Sequence, residues 1–120
     1  MTTTSTGLAG EETAAGYLKK KGFTIVARNY RARGGELDIV AQKGKLLVFA
    51  EVKTRAYHAF GGPLMAVTKA KQHKIALAAA QFIKANAFKF DSIRFDVICV
   101  MAGVEILHFP NAFSPDRTTL

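Results

Sequence analysis

The decisive stretch of this sequence reads Gly34-Gly35-Glu36-Leu37-Asp38-Ile39-Val40, and after a short basic turn it continues as Val48-Phe49-Ala50-Glu51-Val52-Lys53. Both segments have the apolar, β-branched composition of strands, yet each carries acidic residues. Asp and Glu are depleted in strands, and a charge on a core-facing position is costly unless it is paired or bound to a metal. A metal-dependent phosphodiesterase site explains these acids more simply than a purely structural role.

The two acidic segments are predicted to be neighbouring strands of one hairpin. The turn sequence Gln42-Lys43-Gly44-Lys45 separates strands over 36–41 and 46–53. Folding symmetrically about the glycine sets Asp38 opposite roughly residue 50, within one residue of register. We therefore expect Asp38 and Glu51 to lie close together across the ladder.

The second strand of this hairpin changes character along one face. By the period of two, that face carries Leu47, Phe49, Glu51 and Lys53. An apolar face that becomes charged at its end is expected where a strand leaves the core and lines a cleft.

The remaining elements complete a mixed α/β sheet covered by helices. The predicted elements are a helix over 8–21 that stops at Gly22, a strand over 23–29 with Phe23, Ile25 and Ala27 on one face, a helix from Thr68 as N-cap to Lys84, a central strand over 92–100 and an edge strand over 104–109. The order is helix, three antiparallel strands, helix and one or two further strands. The loop over 55–62 is expected to be mobile and to lie over the acidic cleft.

One acid of the first helix is expected to point inward. The buried stripe of that helix should be Ala14, Ala15 and Leu18, and counting back by three and four residues places Glu11 on the same stripe. Glu12 lies off the stripe and reads as a solvated acid.

Composition indicates a single cytoplasmic domain over 1–120 with loose termini at 1–6 and 110–120. The lone Cys99 excludes a disulfide framework, and we see neither a secretory signal nor a membrane span. Lys and Arg number 17 against 9 acids, a net charge of +8 that favours a polyanionic partner. Composition leaves open DNA, RNA, acidic lipid or a merely solubilising surface.

The clustered acids suit a hard divalent cation. Mg²⁺ or Mn²⁺ takes oxygen ligands, here Asp38, Glu51 and the Val52 carbonyl, with Glu11 and Glu36 as further candidates. Lys53 would orient or deprotonate the attacking water and stabilise charge on the phosphate. The structural alternative is a surface ion pair between Glu51 and Lys53, worth at most about 1 kcal/mol. Such an ion pair does not explain why several acidic residues cluster at one end of the sheet, where their like charges repel.

Several basic residues are candidates for phosphate contacts, which give mainly sequence-independent affinity. They are Arg31, Arg33 and Arg55 around the acidic strands and Lys69, Lys71 and Lys74 in the first turns of the second helix. A solvated basic face is the alternative for the lysines. Gln72 could reach the site from the same helix, whereas Asp96 reads as a structural acid and His58 and His108 have no assigned role.

The motifs together resemble a known family. They are Gly7-x-x-Gly10-Glu11-x-x-Ala14-Ala15, Asn29-Tyr30-Arg31, Gly35-Glu36-Leu37-Asp38, Val48-Phe49-Ala50-Glu51-Val52-Lys53-Thr54-Arg55, Phe60-Gly61, Arg94-Phe95-Asp96-Val97 and Asn111-Ala112-Phe113. In these the chain resembles the YraN-like family of small bacterial proteins. That family is similar to the PD-(D/E)xK, restriction-endonuclease-like nucleases and to archaeal Holliday junction resolvases.

The resemblance implies a restriction-endonuclease-like core and a Mg²⁺- or Mn²⁺-dependent endonuclease acting on DNA, with branched DNA as a candidate substrate. It implies Asp38 and Glu51 as metal ligands, Lys53 as the catalytic lysine and Glu11 as an accessory acid. The proline of the superfamily name is absent before Asp38. Two alternatives stay open, a non-catalytic nucleic-acid-binding module and an RNA-directed nuclease. A homodimer is expected if branched DNA is cut symmetrically, and association with the nucleoid would follow from DNA binding.

Overall fold

Two helices and a five-stranded mixed sheet form the protein, as a computed structural model describes for residues 3–55, 67–87, 89–101 and 105–114. The elements are α1 (Thr3–Lys20), β1 (Thr24–Ala32), β2 (Gly35–Lys43), β3 (Leu46–Arg55), α2 (Lys69–Ala85), β4 (Ser92–Met101) and β5 (Glu105–Phe113). The strands lie side by side in chain order, β1-β2-β3-β4-β5. Only the β3–β4 pair is parallel, and α2 makes that crossover. This architecture is compatible with a restriction-endonuclease-like core and confirms the predicted fold class.

The sheet is buried on both faces, each by one helix. On one face Leu47 and Phe49 pack with Ile75 and Phe82 of α2. On the other face Val48 and Ala50 pack with the α1 residues, which are Ala14, Ala15 and Leu18 as predicted. The alternation of β3 between two cores follows from the period of two in a strand, and it directs Glu51 and Lys53 toward the α2 side.

The β2–β3 hairpin closes through the two-residue turn Gly44-Lys45. Ile39 therefore pairs with Ala50, and continuing this register places Asp38 opposite Glu51. The expected partner was residue 50, so the observed register differs by the one residue that the turn type controls. The predicted neighbourhood of Asp38 and Glu51 is confirmed.

Side-chain alternation reverses at Asp38. Leu37 packs in the core beneath α2, whereas Ile39, two residues on, packs in the core beneath α1. The flanking pairs Tyr30–Leu37 and Arg28–Ile39 place Asn29 opposite Asp38, and Asn29 has a φ of 50°. A left-handed residue interrupts the regular pleat. The local irregularity thus falls at the strand position that carries the first acid.

A β-bulge corrects the prediction for β1. The register shifts between Ile25 and Ala27, and the extra residue sends Ala27 to the core beneath α2 while Phe23 and Ile25 pack on the α1 side. The three residues therefore do not share one face.

A buried polar cluster ties β5 and α1 to β4. Asp96 is fully buried. Its carboxylate accepts two hydrogen bonds from the Arg94 guanidinium, at 2.8 and 2.9 Å, and one from the Asn111 backbone N–H at 3.0 Å. Its Oδ2 also lies 2.7 Å from His108 Nε2. The other ring nitrogen of His108 lies 2.9 Å from the Tyr17 hydroxyl. The structural role predicted for Asp96 agrees with these contacts, and His108, which had no assigned role, is part of them.

The boundaries differ from the predictions at both ends of the chain. Helix α1 begins at Thr3, so residues 3–6, expected to be loose, are helical; no proline interrupts this segment. Strand β5 runs to Phe113 and includes residues 110–113 of the expected tail. Pro110 is tolerated because β5 is an edge strand, and Phe113 stacks on Phe95 with ring centroids 5.3 Å apart. The predicted loop over 56–62, residue 104 and the tail beyond 114 lie outside the described residues. No helix among the described residues is long and apolar enough to cross a membrane.

Candidate active site

A cavity of about 360 Å³ opens between the start of α2 and the ends of β2 and β3. Its lining residues are Gly35, Glu36, Asp38, Glu51, Thr68, Ala70, Lys71, Lys74 and Ile75. The structure therefore brings together three of the predicted acids and two of the predicted basic residues. A cavity of this size, lined by both acids and lysines, is the candidate active site.

The Asp38 side chain reaches across the hairpin to the neighbouring strand. Its Oδ2 accepts a hydrogen bond of 2.8 Å from the Val52 N–H. This bond fixes one carboxylate oxygen against the backbone of the Glu-x-Lys segment. Val52 is thus part of the site through its N–H, while the predicted role of its carbonyl as a ligand stays a prediction.

Glu51 is buried and holds two lysines on one oxygen. Its Oε1 lies 2.8 Å from Lys71 Nζ and 3.1 Å from Lys53 Nζ. The Glu51 side chain is 6% exposed and that of Lys53 is 12% exposed, whereas that of Lys71 is 43% exposed. The structural alternative, an exposed surface pair of Glu51 and Lys53, does not match this burial.

The pKa values of Asp38 and Glu51 are shifted in opposite directions by their surroundings. Burial and, after it, the Glu51 carboxylate raise the pKa of Asp38 to about 7 against the opposing effect of the Val52 N–H. Burial also opposes ionisation of Glu51, but Lys71 and then Lys53 outweigh it and hold the pKa of Glu51 below its ordinary value. Two adjacent carboxyl groups of which one keeps its proton are typical of a site built for an added cation.

The two lysines also differ. Burial lowers the pKa of Lys53, with the Lys71 ammonium adding to this effect against the attraction of Glu51. For Lys71, burial is outweighed by Glu51 and the neighbouring Lys53, so its pKa lies above the ordinary value. The proton is therefore held more loosely on Lys53, which suits it to general base chemistry.

Glycine at position 10 lets α1 approach the site. A Cβ at Gly10 would collide with the Thr54 hydroxyl oxygen, next to Lys53 on β3. This close contact brings Glu11 toward the acids, and its Oε1 is buried with no hydrogen-bond partner among the described residues. Burial raises the pKa of Glu11, partly offset by Asn29 and Arg28. The predicted inward direction of Glu11 is confirmed.

Glycine at position 35 lets the start of β2 approach α2 closely. A Cβ there would collide with the Lys74 carbonyl oxygen, a backbone atom that cannot rotate away. The start of β2 thus packs directly on α2 backbone. This contact sets the depth at which Lys71 and Lys74 enter the cavity.

The donor set fits a Mg²⁺ or Mn²⁺ ion in its chemistry. Mg²⁺ is usually held by one or two carboxylates, with water and substrate phosphate completing six oxygens. Asp38 and Glu51 supply those two carboxylates. A bound cation would favour the ionised form of Asp38 and so lower the pKa that is raised without it. Within the described residues, no group of three or more His, Cys, Asp and Glu side chains is placed to hold a metal. Glu11 and Glu36 therefore lie near the acid pair rather than in one ligand set with it.

The predicted phosphate-binding residues fall into two groups. Lys71 and Lys74 line the cavity, while Lys69, Arg31 and Arg33 are exposed outside it. The backbone of Arg33 is bonded to the Gln81 amide, which pins the β1–β2 turn to α2. Arg55 donates from its guanidinium to the Thr54 carbonyl on its own strand at 2.9 Å.

Gln72 does not reach the site. Its amide donates to the Val67 carbonyl at 3.1 Å, so it secures the entry to α2 instead. The helix end is also capped by Thr68, whose hydroxyl accepts from the Lys71 N–H at 3.2 Å. Since this bond immobilises the Lys71 backbone, only its side chain is free to move.

The contact between Lys71 and Glu51 is the main feature that the sequence reasoning missed. Lys71 was predicted as a phosphate contact only. The signal that locates it is the one used for Glu11, because Lys71 lies four residues before Ile75 on the buried stripe of α2.

The comparisons with known proteins give the family. The model described as uncharacterised protein family UPF0102 matches residues 10–100, a span that includes every lining residue of the cavity. The chain belongs to the UPF0102 family. A UPF0102 protein of Trichlorobacter lovleyi is 49% identical over 112 residues, which cover 89% of this chain and 88% of the relative. UPF0102 proteins of Geobacter sulfurreducens and Rhodococcus jostii are 44% and 42% identical, each over 111 residues and 89% of this chain, covering 87% and 94% of the relatives.

Membership of UPF0102 confirms the YraN-like family predicted from the motifs. The description of the UPF0102 family names no activity.

Proposed function

We propose that this UPF0102 protein is an endonuclease that hydrolyses phosphodiester bonds of DNA with Mg²⁺ or Mn²⁺. The observation that carries the proposal is the carboxyl pair of half-buried Asp38 and buried Glu51, which line one cavity, with Lys53 3.1 Å from Glu51. A purely structural protein gains nothing from placing a half-buried carboxyl group beside a buried one, because one must keep its proton or repel the other. A cation-dependent site accounts for their placement.

Each residue has a role that its surroundings support. Asp38 and Glu51 bind the metal, which when bound polarises the phosphate and lowers the pKa of a bound water. Lys53, whose own pKa is lowered by burial, orients the attacking water and accepts its proton. The Val52 N–H holds the Asp38 carboxylate in position. Glu11 is an accessory acid at the side of the pair.

The charge distribution around the cavity supports a polyanionic substrate. Lys74 lines the cavity, and Lys69, Arg31 and Arg33 are exposed near its edge. The first turn of α2 contains no acid, so the helix dipole and the lysines act in the same direction on an incoming phosphate. The net charge of +8 extends this attraction over the molecule. DNA is preferred over RNA on the family resemblance, and branched DNA is the candidate structure.

The test is cleavage of linear, flapped and four-way DNA with Mg²⁺ or Mn²⁺, each compared with EDTA. We expect wild-type cleavage that is lost by at least about a hundredfold in Glu51→Gln and Lys53→Ala. The matched controls are Glu12→Gln and Lys84→Ala, which remove the same charges at exposed positions. Cleavage that is absent with both metals, or equal in all five proteins, contradicts the proposal.

The same variants distinguish the proposed DNA endonuclease from two alternative functions. A binding module without chemistry would bind DNA and show no Mn²⁺ site that depends on Asp38 and Glu51 in calorimetry. An RNA-directed nuclease would cleave RNA hairpins faster than DNA of the same sequence.

A further inference from the structure

Lys71 and Lys53 share one carboxylate oxygen of Glu51, although they are held in different ways. Both ammonium groups lie within 3.1 Å of Glu51 Oε1, and Lys71 is the closer at 2.8 Å. Lys53 is nearly buried on β3, whereas the Lys71 side chain is 43% exposed at the cavity. Of the two, only Lys71 can leave the oxygen and return to water at little cost.

The carboxylate oxygen of Glu51 that contacts the ammonium groups is also an oxygen through which Glu51 would bind a metal ion. A divalent ion bound by Asp38 and Glu51 would be drawn to the most negative oxygens, and one of these carries two ammonium groups in the free protein. The two positive charges and the ion repel each other at such short range. One lysine therefore has to move, and exposure identifies Lys71.

We propose that Lys71 neutralises Glu51 in the free protein, thereby weakening metal binding, and that on metal entry it turns from Glu51 to a phosphate of the bound DNA. The proposal rests on the nuclease function proposed above. Lys71 is a positioning residue in this scheme, since it acts on the metal ligand and on the substrate backbone rather than on the reacting water.

The placement of Lys71 supports both contacts. Its backbone N–H is held by the Thr68 hydroxyl, so the ammonium swings about a fixed point. The same cavity wall carries Lys74 and the acid-free first turn of α2, where a phosphate is favoured. A displaced Lys71 thus has an anion to bind within its own site.

This arrangement couples the two ligands. A DNA phosphate that holds Lys71 away from Glu51 makes the carboxylate more available, and a metal on Glu51 makes Lys71 more available to the phosphate. Since coupling between binding sites is reciprocal, DNA and metal each strengthen the binding of the other through this one side chain.

The experiment measures Mn²⁺ affinity without DNA for wild type, Lys71→Ala and Lys84→Ala, using titration calorimetry or the electron paramagnetic resonance signal of free Mn²⁺. Lys84 is exposed in the last turn of the same helix, so its variant loses the same charge far from Glu51. We expect Lys71→Ala to bind Mn²⁺ about three- to tenfold more tightly than wild type, since a half-exposed pair no longer competes, with Lys84→Ala close to wild type. An ordinary supporting residue would give weaker binding on removal.

A second readout is DNA binding in EDTA and in Ca²⁺, which replaces the active metal. The gain in DNA affinity caused by Ca²⁺ should be smaller in Lys71→Ala than in wild type. Lys71→Gln, which removes the charge but keeps most of the side-chain length and a donor, should repeat both results and serves if the alanine variant folds poorly.

The outcomes separate the inference from the function on which it rests. If wild type binds Mn²⁺ through Asp38 and Glu51 but Lys71→Ala binds it equally or more weakly, the inference is wrong and the nuclease proposal stands. Wild type without an Mn²⁺ site that depends on Asp38 overturns both.

Discussion

Replacing Asp38 by asparagine should stabilise the metal-free protein at high pH and change little at low pH. Burial, together with the neighbouring Glu51 carboxylate, raises the pKa of Asp38 from 3.8 to about 7. Below pH 3.8 the carboxyl is protonated in both the folded and the unfolded state. As the pH rises toward 7 the unfolded chain releases this proton first, so stability falls until the folded group is also ionised. Asparagine never ionises and escapes this loss.

The size of the effect follows from the two pKa values. Each pKa unit corresponds to about 1.4 kcal/mol, which sets a ceiling of roughly 4 kcal/mol above pH 7. The amide of asparagine can still accept the Val52 hydrogen bond and can donate to Glu51. Because the two carboxyl groups interact, we expect about 2 to 4 kcal/mol at pH 8 and under about 1 kcal/mol at pH 4.5.

Urea unfolding in EDTA at pH 4.5 and pH 8 measures this difference, with Asp91→Asn as an exposed control. Adding Mn²⁺ at pH 8 should then stabilise wild type and leave Asp38→Asn almost unchanged, because ligand binding to the folded state adds to stability. A variant that is no more stable than wild type at pH 8, or an equal gap at both pH values, refutes the raised pKa of Asp38 and the cation site inferred from it.

Three further outcomes test the packing and the charges. Gly35→Ala should cost about 1 to 3 kcal/mol in urea unfolding, because its Cβ meets the Lys74 carbonyl, whereas Gly16→Ala, with open space around its Cβ, should be neutral or stabilising. Asp96→Ala should cost about 3 to 5 kcal/mol, because it leaves the part-buried Arg94 and His108 without the buried carboxylate that they contact. Burial opposes the ionisation of Asp96, but His108, Arg94 and Asn111 outweigh it and lower its pKa. The ionised carboxylate therefore stabilises the folded wild type, and this contribution should be lost as the pH falls below 3.8. An acid titration followed by circular dichroism would show the loss. Lys74→Ala should reduce the slope of log Kd for DNA against log salt by about 1, and Lys84→Ala should leave the slope unchanged, measured by fluorescence anisotropy.

The acid pair was predictable because every signal for it is local. Alternation along β3 sets the direction of Glu51, and the short turn after Lys43 sets which residue of β2 lies beside it. The helix stripe places Glu11 by the same kind of counting. These rules depend on spacing within one element or one hairpin. The structure follows them at Glu51 and Glu11, and the hairpin register differs by one residue.

The departures arise where distant residues meet. No spacing rule gives the bulge that turns Ala27 to the other face, or the left-handed Asn29 opposite Asp38. The contact of Lys71 with Glu51 depends on the depth at which α2 packs, which Gly35 controls from another strand. His108 meets Asp96 because β5 pairs with β4, and Asn111 reaches the same acid because β5 continues past Pro110. Such contacts follow from tertiary packing, which a single sequence encodes only indirectly.

The chain-order arrangement of the strands has a consequence for how the protein folds. Asp38 and Glu51 belong to one hairpin and meet after a short loop closes, whereas β3 and β4 pair residues as far apart as Leu46 and Ser92 and need the α2 crossover. Loop closure is faster and entropically cheaper for the nearer pair. We therefore expect the two carboxyl groups to come together in the folding nucleus before α2 delivers the Lys71 ammonium. The like charges that serve the site would then slow the earliest step of folding, and a divalent cation present during refolding should speed it.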